Sequence, residues 1–595
     1  MSETLTIIVE NTTGAKVNLD YPYPGNGWVF SAQPQPEKVT DGGQVSYKMP
    51  PEQTYTFTLD QAQNWAKLEM AQYSVTGLGL DVPTCYLSFS ESNGNWSYSF
   101  EPLGSPVEIN GREYPRVKFG NLVKQSGNTF TFVLAWPAVS VDYGKLTGNL
   151  LEVTAAFQSR FTTHLAANVI PMNQATYDKQ NGDPPSTKDW EQSWGYDSSR
   201  FALWGGGYCL SPNGDQTLIG NIKNEVLQGL VDFLKTQAKA PPYVLPYNGF
   251  NAYTEKAMSD YSKVAPALFG PAAVAASAMG ETDFYNDLIS GLETYSLKDN
   301  TPETTPDSKD FLNTTSAYFD GALLMLTQIM LAGKGSLLLT PGTDDGFASY
   351  AGFMANYQTW TDLNNGFLAP FSNVTVSDGL RVVFSKYNGP TDHAGEYNGN
   401  SPTVSEGMGY GLMFALTADD QTTFDGLLRF YLYASGTYGC AVNANQYPPQ
   451  PVVVAPTMMP WCVNDQGAPF YPLWAGGFYS SGSATDADIQ ALWPIYEASQ
   501  KVASGTWQDH RFSLGNQSLT YAEIARQLTR AVSRYDCYDG ARFFGGASLG
   551  WFYKPGNQWG INGIPGSSGN SGADDFYPGY FTPQAMEILK KLAGG

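Results

Sequence analysis

The sequence has few of the side chains that build metal centres or histidine-dependent nucleophiles. Its 595 residues include three histidines and five cysteines. No two cysteines form a Cys-x-x-Cys pair, which argues against a structural zinc site. The histidines, His164, His393 and His510, are few and scattered, which argues against a Ser-His-Asp triad. We therefore expect neither a metal nor a cofactor.

Basic side chains are also scarce. Charged residues make up 15% of the chain, and 55 acidic residues against 33 basic ones give a net charge of −22. Binding to nucleic acid requires basic patches that contact phosphates, so no nucleic-acid partner is expected. An acidic surface is compatible with a cationic ligand such as chitosan, and solubility alone is the alternative explanation.

Long apolar runs are missing as well. No stretch of about twenty apolar residues occurs, so no membrane span is expected. The segment Met1–Thr6 runs directly into a strand-like pattern, without the basic and apolar regions of a signal peptide. The expected location is extracellular, by another export route or after removal of a leader. A cytoplasmic location is the alternative.

Aromatic residues and glycine, by contrast, are abundant. Aromatic side chains make up 14% of the chain, and there are 62 glycines. Aromatic rings stack on the apolar faces of sugars, and amides bond to sugar hydroxyls. This composition is typical of a protein that handles carbohydrate.

Residues 1–142 show the period-2 pattern of β-strands. Apolar and polar residues alternate in segments that Gly-, Pro- and Asn-rich turns separate: 4–10, 55–59, 85–89, 96–100 and 129–134. Many short strands of this kind predict a β-sandwich. We expect a separate all-β domain here, with a carbohydrate-binding or accessory role.

Residues 143–595 show helical periodicity instead. Apolar residues recur at helical spacing in 150–166, 217–238, 262–278, 284–295, 316–332, 347–360, 409–416, 424–433, 487–498, 521–535 and 583–592. Long loops rich in Gly, Pro, Asn and aromatic residues connect them. The pattern predicts an all-α domain with functional loops on one face, and residues 333–347 resemble an internal linker.

One carboxylate lies in an unusual setting within this domain. Glu406 belongs to the segment Thr403–Gly411, where three glycines precede an apolar run and allow close approach of a substrate. Partly apolar surroundings raise the pKa of a carboxyl group, as a proton donor near neutral pH requires. The alternative is a helix N-terminus with Ser405 as its N-cap.

Two further segments place acids among small or aromatic residues. Gly482–Ile489 contains Asp486 and Asp488, and Trp194–Phe201 contains Asp197 beside Arg200. Taken singly, Asp486 can be an N-cap, and Asp197 can form a local ion pair. Taken together with Glu406, they supply what glycoside hydrolysis needs, namely a protonated carboxyl, an ionised carboxyl and aromatic subsites.

These segments resemble those of glycoside hydrolase family eight. Thr403–Gly411 is similar to the proton-donor segment of that family, and Gly482–Ile489 to its Ser-Ala-Thr-Asp-Ala-Asp signature. Tyr196–Arg200 resembles its Tyr-Asp-Ala-x-Arg segment, and Tyr577–Pro583 its Pro-Ser-Tyr-Phe-x-Pro segment. The resemblance implies an all-α (α/α)6 barrel for the helical domain.

The order of the segments differs from that of the family. There, the Asp-containing segment and the last barrel helices follow the Tyr-Phe segment, whereas here Asp197 precedes Glu406 and Tyr580 lies near the C-terminus. Circular permutation accounts for this order. The family's C-terminal part would be residues 145–333, followed by the linker 333–347 and then the family's N-terminal part, 348–595.

The resemblance also implies roles for individual residues. Glu406 would be the general acid, Asp197 the general base that activates water, and Asp486 would hold the water or the sugar. Arg200 would keep Asp197 ionised. Because the family inverts, the carboxyls of Glu406 and Asp197 should lie about 6.5–9.5 Å apart. The side chains expected to contact substrate are Tyr196, Arg200, Tyr410, Trp194, Trp474 and Tyr580.

The expected function is therefore that of an endo-acting, inverting hydrolase of β-1,4-linked glucan, either cellulose or mixed-linkage β-glucan, working as a monomer. Chitosan and xylan are alternative substrates within the same family. A non-catalytic glycan-binding protein that has kept the barrel is the alternative of another class.

Overall fold

The structure is a computed structural model of the full chain. It describes the strands between residues 4 and 134 and, in the rest of the chain, 140–172, 189–238, 245–246, 249–259, 261, 264–297, 311–363, 367–370, 380–383, 403–438, 457–463, 482–514, 517–542, 548–556 and 575–593. Trp474 lies outside the described residues.

The N-terminal segment consists of strands, as its period-2 pattern predicts. They are β1 (Thr4–Asn11), β2 (Lys16–Asp20), β3 (Trp28–Phe30), β4 (Glu37–Asp41), β5 (Gln44–Met49), β6 (Gln53–Gln61), β7 (Lys67–Thr76), β8 (Thr84–Ser92), β9 (Asn95–Leu103), β10 (Val107–Ile109), β11 (Arg112–Tyr114), β12 (Gly120–Ser126) and β13 (Thr129–Leu134).

Most of these strands form two separate sheets. One has the order β12-β13-β1-β6-β3 and the other β4-β5-β2-β7-β8-β9, while β10 and β11 pair with each other. Within the first sheet β1 runs parallel to β13, with Thr6 opposite Thr129, and antiparallel to β6. The sandwich and the domain boundary after residue 142 stay predictions.

Alternation along the strands produces one apolar face on the first sheet. Ile7 and Val9 of β1 are buried, as are Tyr55 and Phe57 of β6 and Phe130 of β13. Successive side chains of a strand point to opposite faces, so this spacing collects the buried side chains on one side. The sequence pattern thus sets which face of the sheet is covered.

The rest of the chain is rich in helices. Their bounds are Tyr143–Gln158, Asp189–Gln192, Tyr196–Leu210, Gln216–Asn221, Gln228–Gln237, Pro266–Met279, Thr282–Glu293, Phe311–Ala332, Tyr350–Trp360, Ser405–Thr417, Gln421–Tyr438, Thr485–Ala503, Tyr521–Ala531 and Pro583–Ala593. Ile222–Leu227 and Val532–Asp536 are π-helical, and Pro578–Tyr580 is a 3₁₀ turn. Among the described helices, none is both long enough and apolar enough to cross a bilayer.

Short strands in this region pair as two-stranded ladders. Ile170–Pro171 pairs with Asp575–Phe576, Ser193–Trp194 with Phe250–Asn251, Leu368–Pro370 with Arg381–Val383, Thr403–Val404 with Cys462–Val463, Phe512–Leu514 with Gln517–Leu519, and Cys537–Arg542 with Ser548–Tyr553.

Within this region, a set of helices contacts one another in a closed cycle. In cyclic order they are Tyr196–Leu210, Pro266–Met279, Phe311–Ala332, Ser405–Thr417, Thr485–Ala503 and Pro583–Ala593, the last of which returns to the first. Another helix lies between consecutive members in the sequence and packs on the cycle. Pro266–Met279 and Ser405–Thr417 are buried along nearly their whole length, as helices enclosed by others are. The arrangement is consistent with an α/α barrel.

The helix Tyr196–Leu210, called the Asp197 helix below, was not predicted by the periodicity. It contains Gly205, Gly206 and Gly207, each of which costs a helix about 1 kcal/mol relative to alanine. Close packing explains their presence: a Cβ on Gly206 would lie 3.2 Å from the backbone of Ala275, and one on Gly207 2.7 Å from Met330 Sδ. Packing against neighbouring helices therefore outweighs the low helix propensity of these glycines.

A further glycine brings the C-terminal segment against the Asp197 helix. Gly579 lies in the 3₁₀ turn Pro578–Tyr580, and a Cβ at this position would overlap the carbonyl oxygen of Asp197. The rings of Phe201 and Phe581 stack beside this contact, with centroids 4.8 Å apart. The backbone of the turn can reach Asp197 only because residue 579 has no side chain.

Replacing Gly579 by alanine should destabilise the fold by about 1–3 kcal/mol, because the new methyl group forces the turn away from Asp197. Thermal unfolding would measure the loss. The matched control is Gly148→Ala in the helix Tyr143–Gln158, where a Cβ meets nothing within 4 Å. Equal stability of the two variants would contradict the proposed close approach.

Candidate active site

Three acids occupy the same position in three helices of the cycle. Asp197, Glu406 and Asp486 are each the second residue of their helix, and we call the other two the Glu406 helix (Ser405–Thr417) and the Asp486 helix (Thr485–Ala503). Neither Ser405 nor Asp486 is an N-cap, since those positions belong to Val404 and Ala484. The positive end of the helix dipole therefore faces each carboxylate.

Main-chain hydrogen bonds set the Glu406 and Asp486 helices relative to each other. The amide of Ser405 donates to the carbonyl of Trp461 at 2.9 Å, and the amide of Trp461 donates to the carbonyl of Gly482, also at 2.9 Å. Gly409 allows the two helices to pack closely, because a Cβ there would lie 3.4 Å from Ala491 N. Residue 461 thus connects the starts of both helices.

The Asp197 helix is held by side chains from other segments. The amide of Ser198 donates to Asn168 Oδ1 at 2.8 Å, which satisfies one of the free amides at a helix N-terminus. The hydroxyl of Ser199 donates to the carbonyl of Ala267 at 2.8 Å. These bonds fix the turn that carries Asp197 within the cycle.

Arg200 joins the three acids in one cluster. Its Nη2 lies 2.9 Å from Asp197 Oδ1, and its Nη1 lies 2.9 Å from Asp486 Oδ2 and also bonds Glu406 Oε1. The side chain is 1% exposed, compared with 32% for Asp197 and 18% for Glu406. One buried guanidinium therefore pairs with three carboxylates, and the part of the cluster open to solvent is acidic.

Burial controls the protonation of Glu406. Desolvation raises the pKa of its carboxyl to about 7, although Arg200 acts in the opposite direction, and Asp486 and Asp197 raise the pKa further by repulsion. The hydroxyl of Tyr410 donates to Glu406 Oε1 at 3.0 Å. At neutral pH a substantial fraction of Glu406 is therefore protonated.

Asp197 responds to the same forces from a more exposed position. Burial raises the pKa of this carboxyl above its usual value, and Arg200 lowers it. The expectation that Arg200 keeps Asp197 ionised is thus correct in the direction of the arginine's effect, but burial outweighs that effect. Asp197 keeps its ion pair to Nη2 while its side chain is one-third exposed.

Two residues expected to bind substrate hold the acids instead. Tyr410 is fully buried, and its hydroxyl lies 3.0 Å from both Glu406 Oε1 and Arg200 Nη1. Arg200 is directed at the three carboxylates. Both side chains bond to Glu406, and their contact with a sugar stays a prediction.

The other expected substrate-binding residues differ in accessibility. Trp194 is fully buried in the core, opposite Phe250 in a two-stranded ladder, so its ring is not exposed to stack on a sugar as expected. Tyr580 is partly exposed, and its ring stacks on Tyr577 at 5.2 Å between centroids. The side chain of Tyr196 and the whole of Trp474 lie outside the described part.

Several residues that shape the site were not predicted. Phe319 lies beneath Arg200, with its ring centroid 5.9 Å from Cζ. Gly407 makes room for Tyr318, whose hydroxyl would lie 2.7 Å from a Cβ at residue 407. The three-glycine segment signalled a close approach, but it did not reveal which residue approaches.

The described residues provide no set of side chains that could bind a metal ion. No group of three or more His, Cys, Asp or Glu side chains there is placed to hold a metal ion. The carboxylate oxygens of the three acids in the cluster form ion pairs with Arg200 instead.

Comparison with known proteins finds a family match for one segment of the chain. Residues 388–555 match the family described as Glycosyl hydrolases family 8, a segment that contains Glu406 and Asp486. The resemblance of these two segments is thereby confirmed. A solved structure described as "Crystal structure of sugar epimerase from ruminal bacterium" covers 76% of this chain and 99% of its own, with 10% identity and a TM-score of 0.40. No curated protein matches the chain.

Replacing Arg200 by alanine should lower the free energy of unfolding by about 3–5 kcal/mol, because buried Asp486 and partly buried Glu406 and Asp197 lose their shared cation. Without the guanidinium the pKa values of Asp197 and Glu406 rise further. Carboxyls with raised pKa values in the folded state lose stability as pH increases, so the deficit should be larger at pH 8 than at pH 5.

Urea denaturation at the two pH values would measure both effects. Arg511→Ala is the matched control, because Arg511 is 58% exposed and its partner Glu523, 4.0 Å away, is 41% exposed. Such an exposed pair contributes less than about 1 kcal/mol. A loss for Arg200→Ala no greater than that of the control would show that the cluster does not depend on the guanidinium.

Proposed function

We propose that this chain is a family 8 glycoside hydrolase, an endo-acting, inverting enzyme that cleaves β-1,4-linked glucan at the Glu406–Asp197–Asp486 cluster. The observation that carries the proposal is the meeting of three carboxyls on one buried arginine, where burial raises the pKa of Glu406 to about 7. A glycosidase needs a carboxyl that is protonated near neutral pH and a carboxylate close to it.

Glu406 is the general acid in this proposal. Its proton passes to the glycosidic oxygen as the bond from that oxygen to the anomeric carbon breaks, and the leaving sugar departs as an alcohol. Tyr410, which donates to Glu406 Oε1, holds the carboxyl in one orientation. Arg200 stabilises the carboxylate that is left after proton transfer.

Asp197 is the general base. It takes a proton from a water molecule while the water oxygen bonds to the anomeric carbon from the face opposite the leaving group. Its greater exposure favours this role, since solvent reaches Asp197 more readily than Glu406. Asp486, buried on the same guanidinium, positions the water or the sugar.

The cluster limits the distance between acid and base. Asp197 and Glu406 bond to different nitrogens of one guanidinium, so no more than two hydrogen bonds and the width of that group separate their nearest oxygens. That span is compatible with the separation of about 6.5–9.5 Å in inverting enzymes.

We further propose that the helical region is a circularly permuted (α/α)6 barrel. The closed cycle of helix contacts supports the barrel. The order of the acid-containing segments supports the permutation. The contact between the helices Tyr143–Gln158 and Pro583–Ala593 permits it, since a permuted chain must begin and end on neighbouring helices. Residues 333–347, in a connection without helix or strand, would be the joining segment.

Among substrates, chitosan is the second candidate, because the net charge of −22 attracts a cationic polymer. Xylan is a third candidate within the family, and a glycan-binding protein without activity is the alternative of another class. A polymeric glycan does not cross membranes, so we propose that the enzyme acts outside the cell.

The test of this function is release of reducing sugar from carboxymethylcellulose, barley β-glucan, soluble chitosan and xylan. We expect the wild-type protein to act on a glucan and Glu406→Gln to lower kcat by about 100- to 10,000-fold, because the amide cannot donate the proton. Affinity for the polymer should change little, and NMR should show the α-anomer as the first product.

Glu293→Gln, an exposed position at the end of the helix Thr282–Glu293, is the matched control and should keep full activity. Full activity of Glu406→Gln would show that another residue donates the proton. Binding of a polymer by the wild type without any hydrolysis would favour the non-catalytic alternative.

The pH dependence of turnover should reflect the raised pKa of Glu406. Since only the protonated acid donates, kcat/KM should fall above about pH 7, by roughly tenfold per pH unit. Initial rates on the best polymer between pH 4 and pH 9 would measure this decline. A profile that declines only below pH 5 would place the essential acid elsewhere.

A further inference from the structure

A second group of ionisable side chains lies behind the three acids. Asp488 follows Asp486 by two residues in the same helical turn and is fully buried. Asp536 is also fully buried, and Lys554 is 5% exposed. The hydrolytic mechanism uses none of them.

The two carboxyls do not have enough hydrogen-bond donors. Asp488 Oδ1 accepts from the hydroxyl of Tyr431 at 3.2 Å. Among the described residues, Asp488 Oδ2 and both oxygens of Asp536 have no well-aligned donor. The hydroxyls of Ser483 and Thr485 lie close enough to lower the pKa of Asp488 and of Asp536, respectively, but neither makes a well-aligned bond to them. A buried carboxylate oxygen without a donor is strongly unfavourable, and a proton on one of two adjacent carboxyls supplies the missing donor.

The charges around the pair set how many protons it holds. Several titratable groups act on Asp488 and Asp536 or on their neighbours. From helices these are Asp486, Tyr431 of Gln421–Tyr438 and Tyr143 of Tyr143–Gln158. From the ladder of Cys537–Arg542 with Ser548–Tyr553 they are Cys537 and Tyr553, together with Lys554, which directly follows it. With Lys554 protonated, one proton shared between the two carboxyls makes the group neutral. Neutrality is the state that burial favours.

The group is connected directly to the start of the Asp486 helix. The amide of Thr485 donates to the carbonyl of Pro555 at 3.2 Å, and its hydroxyl donates to the carbonyl of Lys554 at 2.7 Å. The amide of Lys554 in turn donates to the carbonyl of Asp536 at 2.7 Å. A displacement of Asp536 or Lys554 would therefore move Thr485 and, with it, Asp486.

We propose that Asp488 and Asp536 share one proton and, with Lys554, form a neutral buried group that positions Asp486 for hydrolysis. They are positioning residues, since they act through Asp486 and do not contact the sugar. The positioning role rests on the proposed function of Asp486. The existence of the shared proton does not depend on that function.

The direction of the pKa changes agrees with this assignment. Burial raises the pKa of Asp536 to about 8 and that of Asp488 well above its usual value. Burial lowers the pKa of Lys554 to about 8, against the attraction of Asp536. Because the carboxyl pKa is raised in the folded state, its stabilising effect is complete at low pH and is lost as pH rises through about 8.

The first measurement compares Asp488→Asn with Asp488→Ala at about pH 6. The asparagine is neutral and can donate to Asp536, so kcat should stay close to that of the wild type. The alanine removes the donor and leaves a cavity, so Asp486 shifts and kcat should fall by about 100-fold. An equal loss in both variants would overturn the proposal, because it would mean that ionised Asp488 is required.

The second measurement is the pH profile of kcat/KM. Above about pH 8 the wild type should lose activity more steeply than one proton allows, since Glu406 and the shared proton are both titrated. Asp488→Asn should decline with the slope of a single proton. Identical slopes would contradict the shared proton.

The third measurement does not depend on activity. Infrared difference spectroscopy on the full-length protein should show the C=O stretch of a protonated buried carboxyl that disappears in Asp488→Asn. The control Asp283→Asn, an exposed acid in the first turn of the helix Thr282–Glu293, should leave that band unchanged. Persistence of the band in Asp488→Asn and in Asp536→Asn would refute the assignment.

These measurements separate the two hypotheses. If the wild type hydrolyses no polymer, the proposed function fails, and the infrared band still tests the proton. If Asp488→Ala does not fold, the variants Asp488→Asn and Asp536→Asn still test the shared proton. The slope of the pH profile of kcat/KM and the infrared C=O band would decide the question.

Discussion

Burial of one guanidinium among three carboxylates is the constraint on which the helical region depends. Arg200 is 1% exposed, and a buried charge is tolerated only when partners satisfy it. Its partners come from three helices that are far apart in the sequence, so those helices must begin at the same place. The close approaches at Gly409 and Gly579 bring the chain near enough for this to happen.

Competing forces on the acids give them different properties. Helix dipoles and Arg200 favour the ionised forms, whereas burial and mutual repulsion favour protonation. For Glu406 the balance leaves a pKa of about 7, while Asp197 is more exposed and bonds the other side of the guanidinium. Two carboxyls on one arginine thus acquire the different environments that separate an acid from a base.

The sequence predicted most of the elements but not the contacts between them. Helical periodicity predicted the helix at residues 583–592 to within one residue, and the strand pattern predicted β1 and β13. It failed at the Asp197 helix, whose glycines lower helix propensity and are explained only by Ala275 and Met330. Local spacing predicted the pair of Asp197 and Arg200, since these residues are three apart on a helix.

No local signal connects Arg200 with Glu406 or Asp486, which lie 206 and 286 residues away. The same limit applies to Asp536, since no local pattern in the chain connects it with Asp488, on which its charge acts. Trp194 shows the opposite error: an aromatic residue beside an acid suggested a sugar platform, but the ring fills the core.

The two amide–carbonyl bonds at Trp461 have a consequence for how such a site tolerates sequence change. They join the starts of the Glu406 and Asp486 helices through peptide groups, which every residue except proline supplies in full. The spacing of Glu406 and Asp486 therefore depends on the path of the backbone at residue 461. Any residue except proline can form both of these bonds at position 461.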